Sequence, residues 1–364
     1  MTMQEYFSEI KDPRHEGYVK HKLADVLTIV MCAVMCRMTE LCEIMVFAES
    51  RAEFLAENFG ITKIPSKPTM SRILSLVDGK KVAEVIINLM KKFVSDEGEI
   101  VAVDGKAIRS TSKDGKPHSA LQIITAYMTE TGLILGQEKI HEKTNEIPTF
   151  QQMLEILNVK GKIITADAMH CQRETCKKIT RKGGEYVLTL KKNQPELYED
   201  VKFYFDNEKL ESFATVEKNH GRIEKRICRK MIQTDWLKKR HNWVGLKSVF
   251  AIERIISTSK KTTQETSYYI SSLEVNEEKF LSAVREHWKI ESMHWILDAV
   301  FGEDDCDFHS EQAHITINIF RKFAIALHKK YLAKVGSKRS IRQNLLSCLL
   351  NERLLLDVIS SENL

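Results

Sequence analysis

The sequence predicts an α/β protein: a mixed sheet, enlarged by a basic β-rich insertion and preceded by an all-helical segment. Three observations carry this. Up to about residue 95 apolar positions recur at spacings of three and four, as in "LADVLTIVMCAVM" and "RILSLVDGKKVAEVIINLMKKFV", the signature of one helix face. From residue 100, runs of β-formers alternate with helical stretches, the order that builds a mixed sheet. From about 200 to 272 the texture changes again, to alternating, basic, strand-like sequence.

Taken in order, "IPSKPTMSRIL" sets Pro65 and Pro68 around the start of a helix that Ser66 or Thr69 is placed to cap. A small helical segment of this kind suits entry into DNA, and suits dimerisation or docking equally. The strand "IVAVDGK" occupies 100–104, and in "LQIITAYMTETGLILGQEKI" two β-rich runs flank Thr129 to Gly132 as a hairpin. A helix near 147–157, a strand at 162–166, a helix near 170–182 and a strand at 185–191 follow. The insertion supplies "RIEKRICRKMI", "SVFAIERIIST" and "TSYYISSL", and two long helices over 276–301 and 315–332 close the chain. The expected domains are residues 1–95, 96–199, 200–275 and 276–364.

At 364 residues and 43% hydrophobic, the chain is long enough for a substantial core and for two or three domains. Its longest apolar run, Val26 to Cys36, falls short of the roughly 20 residues that span a bilayer. With no secretory signal in the first residues, a cytoplasmic, nucleoid-associated location is expected. Eight cysteines without paired CxxC spacing read as scattered reduced thiols. A zinc site on His170, Cys171 and Cys176 lacks a second half. The net charge of +5 is unevenly spread: residues 171–262 hold 22 Lys and Arg against 12 Asp and Glu. Runs such as "HGRIEKRICRK" suit phosphate neutralisation or a solvated surface.

Two apolar strands each end on an aspartate, Asp104 in "IVAVDGK" and Asp167 in "KIITADAMHC". Carboxylates at strand ends face a cleft while their neighbours are buried, which is what a hard divalent cation requires of rigid oxygen ligands. A two-metal phosphoryl-transfer site needs a third acid. On the long helix Val284, His287, Glu291, His294 and Asp298 share one face by spacing, and Glu291 is the central candidate. Trp288 and Trp295 beside it read as core packing, and Asp298 as a partner that orients His294. The denser "GEDDCDF" (302–308) reads as a mobile loop of mutually repelling acids.

In this set and order, "DPRHEGYVKHKLADVLTIVMCAVM", "IPSKPTMSRILSLVD", "VAVDGKAIR", "ITADAMHCQ", "YVLTLKKNQ" and "HWKIE", the sequence resembles the DDE transposases of the ISAs-type, H-repeat-associated insertion-sequence family, over nearly the whole chain. The resemblance implies a ribonuclease-H-like catalytic core with a β-rich insertion before the last acidic helix. It makes Asp104, Asp167 and Glu291 the catalytic, metal-binding triad for Mg2+, with Mn2+ able to substitute. Broader relatives carry Tyr, Arg, Glu and Lys around the last acid, where this chain has Val284, His287, Glu291 and Asp298.

The implied partner is double-stranded DNA, at element ends and target, bound by a homodimer. The implied reaction is attack of water at the element's end, then of the freed 3′-hydroxyl on target DNA. Lys106, Lys191 and Lys192 are candidates to hold phosphates flanking the scissile bond. Arg222, Lys225 and Arg226 are candidates to track the end DNA, and Arg285 or His287 to replace the missing arginine. Two alternatives stay open: a domesticated, non-catalytic DNA-binding protein, and a nuclease that cuts without joining. Attachment of a labelled 3′ end to target DNA separates them.

Overall fold

The computed structural model describes residues 3–94, 96, 98–112, 119–140, 146–219, 221–231, 233–306 and 308–360. His220 and Asp307, which belong to two of the runs singled out above, lie outside the described residues. Six helices come first: α1 (Met3–Phe7), α2 (Leu23–Met35), α3 (Leu41–Ser50), α4 (Ala52–Phe59), α5 (Lys67–Leu76) and α6 (Gly79–Phe93). Strand β1 (Ile100–Ile108) and the hairpin β2 (Leu121–Met128) and β3 (Ile134–Ile140) follow. Next come α7 (Glu146–Ile156), β4 (Ile163–Ala166), α8 (Arg173–Arg181), β5 (Glu185–Leu190) and α9 (Pro195–Asn207). Then β6 (Ser212–Asn219), β7 (Arg222–Met231), α10 (Asp235–His241), β8 (Ser248–Ser257) and β9 (Thr262–Ser271) lead to α11 (Glu277–Ala299). The chain closes with α12 (Glu311–Lys334), α13 (Ile341–Leu350) and α14 (Glu352–Ile359). Among the described residues no helix is long and apolar enough to cross a membrane.

The chain divides into two compact units, and β1 and α11 each run through both. One comprises Met1–Glu97, Gly105–Glu142 and Glu291–Leu364. Its early helices are as expected, but they do not form a body of their own: α2, α5 and α6 pack against α12. The reason lies in α2, which is buried at every position except Asp25 and so needs neighbours all round. Helix α12 supplies the missing face, with Phe320 against Phe7 at 5.7 Å and Phe323 against Phe93 at 5.9 Å. Asp78 caps α6 by accepting from the Lys80 and Lys81 N–H groups. A Cβ on Gly79 would lie 2.9 Å from the Gln312 carbonyl, so only glycine permits this close approach to α12.

Helix α12 is buried from Ala313 to Leu327 although it carries His314, Asn318, Arg321 and Lys322. Each finds a partner, as buried polar groups must. His314 Nε2 bonds the Phe308 carbonyl (3.0 Å), and Lys322 donates to Thr125 (2.8 Å) and Gln137 (3.0 Å) of the hairpin. Burial nevertheless pushes the Lys322 ammonium down to about 7, against the pull of Glu303.

The other unit, Gly98–Asp104 and Lys143–Ile290, holds a mixed sheet in the order β1-β4-β5-β9-β8-β7-β6. Strands β1, β4 and β5 are parallel, and β9 pairs antiparallel with β5 through Val187↔Ser271 to Leu190↔Tyr268. The strands of the expected insertion therefore continue the core sheet. Pairing with β9 also covers the edge that β5 would otherwise expose. The segment starts differently from the expectation, since 195–207 is helical and α10 interrupts the strands. The first turns of α11 cover one sheet face: Phe280 stacks on Phe250 with ring centroids 3.6 Å apart, among Ile100, Ile163, Val187, Cys228 and Ile252.

His328 near the end of α12 tests how tightly that helix is held. Its Nε2 donates to the Met35 carbonyl (3.1 Å), and its Nδ1 accepts from Asn344 (2.8 Å). Burial pushes the imidazole down to about 4 from 6.5, against the Met35 hydrogen bond. The folded state thus binds fewer protons than the unfolded one between these values. The stabilisation is fully present above pH 6.5 and is lost as pH falls towards 4, by roughly 3 kcal/mol. Denaturant unfolding of wild type and His328→Leu across this range should show a shallower pH dependence in the variant; parallel curves would contradict the assignment.

Candidate active site

Strand register settles where the two aspartates lie. Val103 pairs with Ala166 in the last described pair of parallel β1 and β4, so Asp104 and Asp167 are the residues that follow. Asp167 stands just past the end of β4, whereas β1 runs on to Ile108, so Asp104 lies within its strand and not at the end expected of it. Asp104 is half-buried, whereas Asp167 is exposed. Behind Asp167 a 3-10 turn, Ala168–His170, is held by His170, whose Nε2 bonds Glu146 at 2.9 Å and whose ring meets Phe150 edge-on.

The "KKNQ" turn after β5 explains part of its own motif. Asn193 donates to the Ala168 carbonyl (2.7 Å) and Gln194 to the Cys171 carbonyl (3.0 Å), which ties the loops after β4 and β5 together. Lys191 and Lys192 remain exposed beside them. Sequence reasoning misses this tie, because two amides in a turn show no periodicity.

Helix α11 reaches the same place through His287. Its Nδ1 lies 3.0 Å from Thr165 Oγ1, and its Nε2 3.8 Å from Asp167 Oδ1. The side chain is 13% exposed. His287, expected to face a phosphate, is instead turned to β4 because Thr165 and Asp167 offer it partners there. The His287 imidazole beside it holds the Asp167 carboxyl below the usual carboxylate range. Burial opposes this, and the charges of His287, Lys191 and His170 reinforce it. At 3.8 Å the contact is one of charge more than of a formed hydrogen bond. Glu291 follows His287 by one helical turn and is exposed, between buried Ile290 and Met293.

Four other expectations on and near this helix are corrected. Trp288 and Trp295 are 51% and 65% exposed, so neither is a core residue; the core positions are Ile290, Met293 and Leu297. Lys106, expected to hold a phosphate, lies among carboxylates: its ammonium is 2.7 Å from Asp298, 3.3 Å from Glu303 and 3.3 Å from Asp304. Asp298 accordingly pairs with Lys106 rather than serving only His294. The segment after α11 is an ordered 3-10 turn, Glu303–Asp305, with Glu303 fully buried, because Arg321 (3.3 Å), Asn318 (2.9 Å) and Lys106 offset its charge.

Titration follows this arrangement. Burial works against the Lys106 ammonium, but Glu303, Asp298 and Asp304 outweigh it and raise its pKa. Burial likewise opposes the Glu303 carboxylate, yet Arg321, Lys106, Asn318 and Lys322 keep it below its ordinary value. For Asp298, burial with the charges of Asp304 and Glu303 prevails over Lys106 and pushes the carboxyl up. Asp298 is therefore less firmly ionised than Glu303.

The basic strands carry two kinds of arginine. Arg226 and Arg254 lie 2.6 and 2.5 Å from Glu224, which is buried, and Arg254 also sits over the Trp288 ring at 5.5 Å. Arg285 pairs with Glu217. Arg222, 3.5 Å from Glu224, and Lys225 are exposed. Among the described residues, no group of three or more His, Cys, Asp or Glu is arranged to hold a metal ion. Asp104 and Asp167 still suit a hard cation in kind, being oxygen ligands, with the Asp167 carboxyl below its ordinary range.

If His287 sets the state of Asp167, His287→Ala should move the Asp167 carboxyl up towards the ordinary range. Carbon NMR titration of labelled aspartate reads this directly, and an unmoved Asp167 would remove the role given to His287.

Residues 95–327 match the model of the family described as Transposase DDE domain, and residues 4–90 match a second, described as DDE_Tnp_1-associated. YhhI of Escherichia coli K12, which carries an H repeat-associated transposase name, is 34% identical over 94% of each chain. YbfL of the same strain is 33% identical over 94% of each. YncI of Escherichia coli O157:H7, named as a transposase, is 35% identical over 90% of this chain and 87% of its own. With a matched segment of this length and relatives at this identity, the chain belongs to the transposase DDE-domain family.

Proposed function

We propose that the protein cuts DNA at the ends of its insertion sequence and joins the freed 3′ ends to target DNA, with Asp104, Asp167 and Glu291 as its carboxylate triad. The observation that carries this reading is the β1–β4 register, which follows Val103↔Ala166 with two aspartates in a chain of this family. The hairpin beside β1 and the parallel β1, β4 and β5 support a ribonuclease-H-like core.

Asp104, Asp167 and Glu291 would hold Mg2+, or Mn2+ in its place. Bound there, the metal supplies charge stabilisation at the attacking and leaving oxygens of phosphoryl transfer. The chain's own residues do the rest. His287 holds Asp167 ionised and ready as a ligand. Asn193 and Gln194 fix the turn from which exposed Lys191 and Lys192 reach the phosphates beside the scissile bond. Arg222 and Lys225 give the DNA a cationic surface, and Arg285, paired with Glu217, contributes less. Arg226 contributes less, because Glu224 already neutralises it.

Asp104→Ala, Asp167→Ala and Glu291→Ala should each abolish cleavage and strand transfer while leaving end binding intact in a mobility-shift assay. Cleavage near the wild-type rate in any one of them removes that residue from the triad. Release of cut DNA that never becomes joined to target would favour a nuclease.

End binding should weaken steeply with salt. Replacing Arg222 and Lys225 by Ala should flatten the log–log slope by roughly 2, about 0.9 for each phosphate no longer neutralised, and Arg226→Ala should flatten it less. An unchanged slope in the double variant would assign these side chains to solvated surface.

A further inference from the structure

Lys106 stands two residues beyond Asp104 along β1, and Asp298 stands seven residues, two helical turns, beyond Glu291 along α11. The two meet at 2.7 Å. The Lys106 side chain is only 11% exposed, and its ammonium also lies 3.3 Å from both Glu303 and Asp304. The turn that carries these acids is held from β1's side as well: the Arg109 N–H donates to Asp304 at 3.0 Å, and Ser110 donates to the Glu303 carbonyl at 3.3 Å. From α12, Arg321 and Asn318 hold Glu303. An ammonium is a compact point charge, which can pair with three carboxylates at once, and it donates a hydrogen bond to Asp304 at 3.3 Å. The planar fork of arginine would not fit them in the same way.

We propose that Lys106 is a positioning residue: by clamping the end of β1 to Asp298 of α11, it holds the stretch of α11 that carries Glu291 in place for the reaction. This rests on the reading of Asp104 and Glu291 as triad members. Lys106 itself touches neither the DNA nor the reacting atoms. Misplacing a catalytic carboxylate by about an ångström costs roughly a hundredfold in rate, so loss of the clamp should be felt in the chemical step and in metal binding before it is felt in DNA affinity.

The test compares Lys106→Met, Asp298→Asn and the double variant with wild type, with Asp104→Ala alongside. Three readings are taken: single-turnover end cleavage across a Mg2+ titration, DNA-end affinity without metal, and Mn2+ binding by calorimetry without DNA. In Lys106→Met, cleavage should fall roughly ten- to a hundredfold, half-saturating Mg2+ should rise, and Mn2+ binding should weaken, with end affinity unchanged. Asp298→Asn should shift the same readings in the same direction, and the double variant should be no worse than Lys106→Met. Should Lys106→Met not fold, Asp298→Asn, which keeps the side chain's shape, carries the test. Unchanged cleavage and metal binding in folded variants overturn the proposal, as does a loss confined to DNA affinity, which would make Lys106 a phosphate contact. Cleavage surviving Asp104→Ala would instead overturn the triad reading.

Discussion

A carboxylate with no exposure to water has to be compensated where it lies, and Glu303 is compensated by Arg321, Asn318 and Lys106. Leaving any one of these charges buried without its partners would cost several kcal/mol. That requirement brings together the end of β1, the turn after α11 and the middle of α12, and through Lys322 it extends to the β2–β3 hairpin. The apolar contacts of α12 with the early helices provide most of the burial, but they are non-directional. The polar cluster is what selects one alignment of these elements, since a slip along α12 would leave charges unpaired.

Helix α11 turns one surface to several tasks in succession. Its first turns are anchored by Phe280 stacked on Phe250, a contact with no polar content. Two turns further on, His287 reaches Thr165 and Asp167. Beyond that the helix presents exposed Glu291, and then Asp298 bound to Lys106. Apolar packing and an ion pair thus bracket the stretch that carries the candidate acid. Rigid support on both sides is what a carboxylate needs if its oxygens are to hold a fixed position.

Charge in the β7–β9 region is likewise divided by burial. Glu224 sits inside a group of arginines and draws Arg226 and Arg254 to itself. Desolvated pairs of this kind contribute to the alignment of neighbouring strands. Side chains further out, such as Lys225, keep their charge for a partner. The count of basic residues in the segment therefore overstates the charge that is available to DNA.

By itself the sequence determined the helical and strand textures, the hairpin, and two aspartates that each follow an apolar run of β-formers. Each rests on local periodicity or on a short apolar run that meets a polar residue, as "IVAVDGK" meets Asp104. It also determined the family, because the motifs occur in order along one chain. Only the tertiary structure decided that Lys106 lies among carboxylates, that β1 runs on past Asp104 to Ile108, that Glu303 is buried, that Trp288 and Trp295 face outwards, that α12 packs on the early helices, and that β9 pairs with β5. Lys106 and Asp298, or His287 and Thr165, lie far apart in the chain, and no spacing rule connects them. Their partnership exists only because burial leaves each polar group with whatever neighbour the packing of distant elements brings to it.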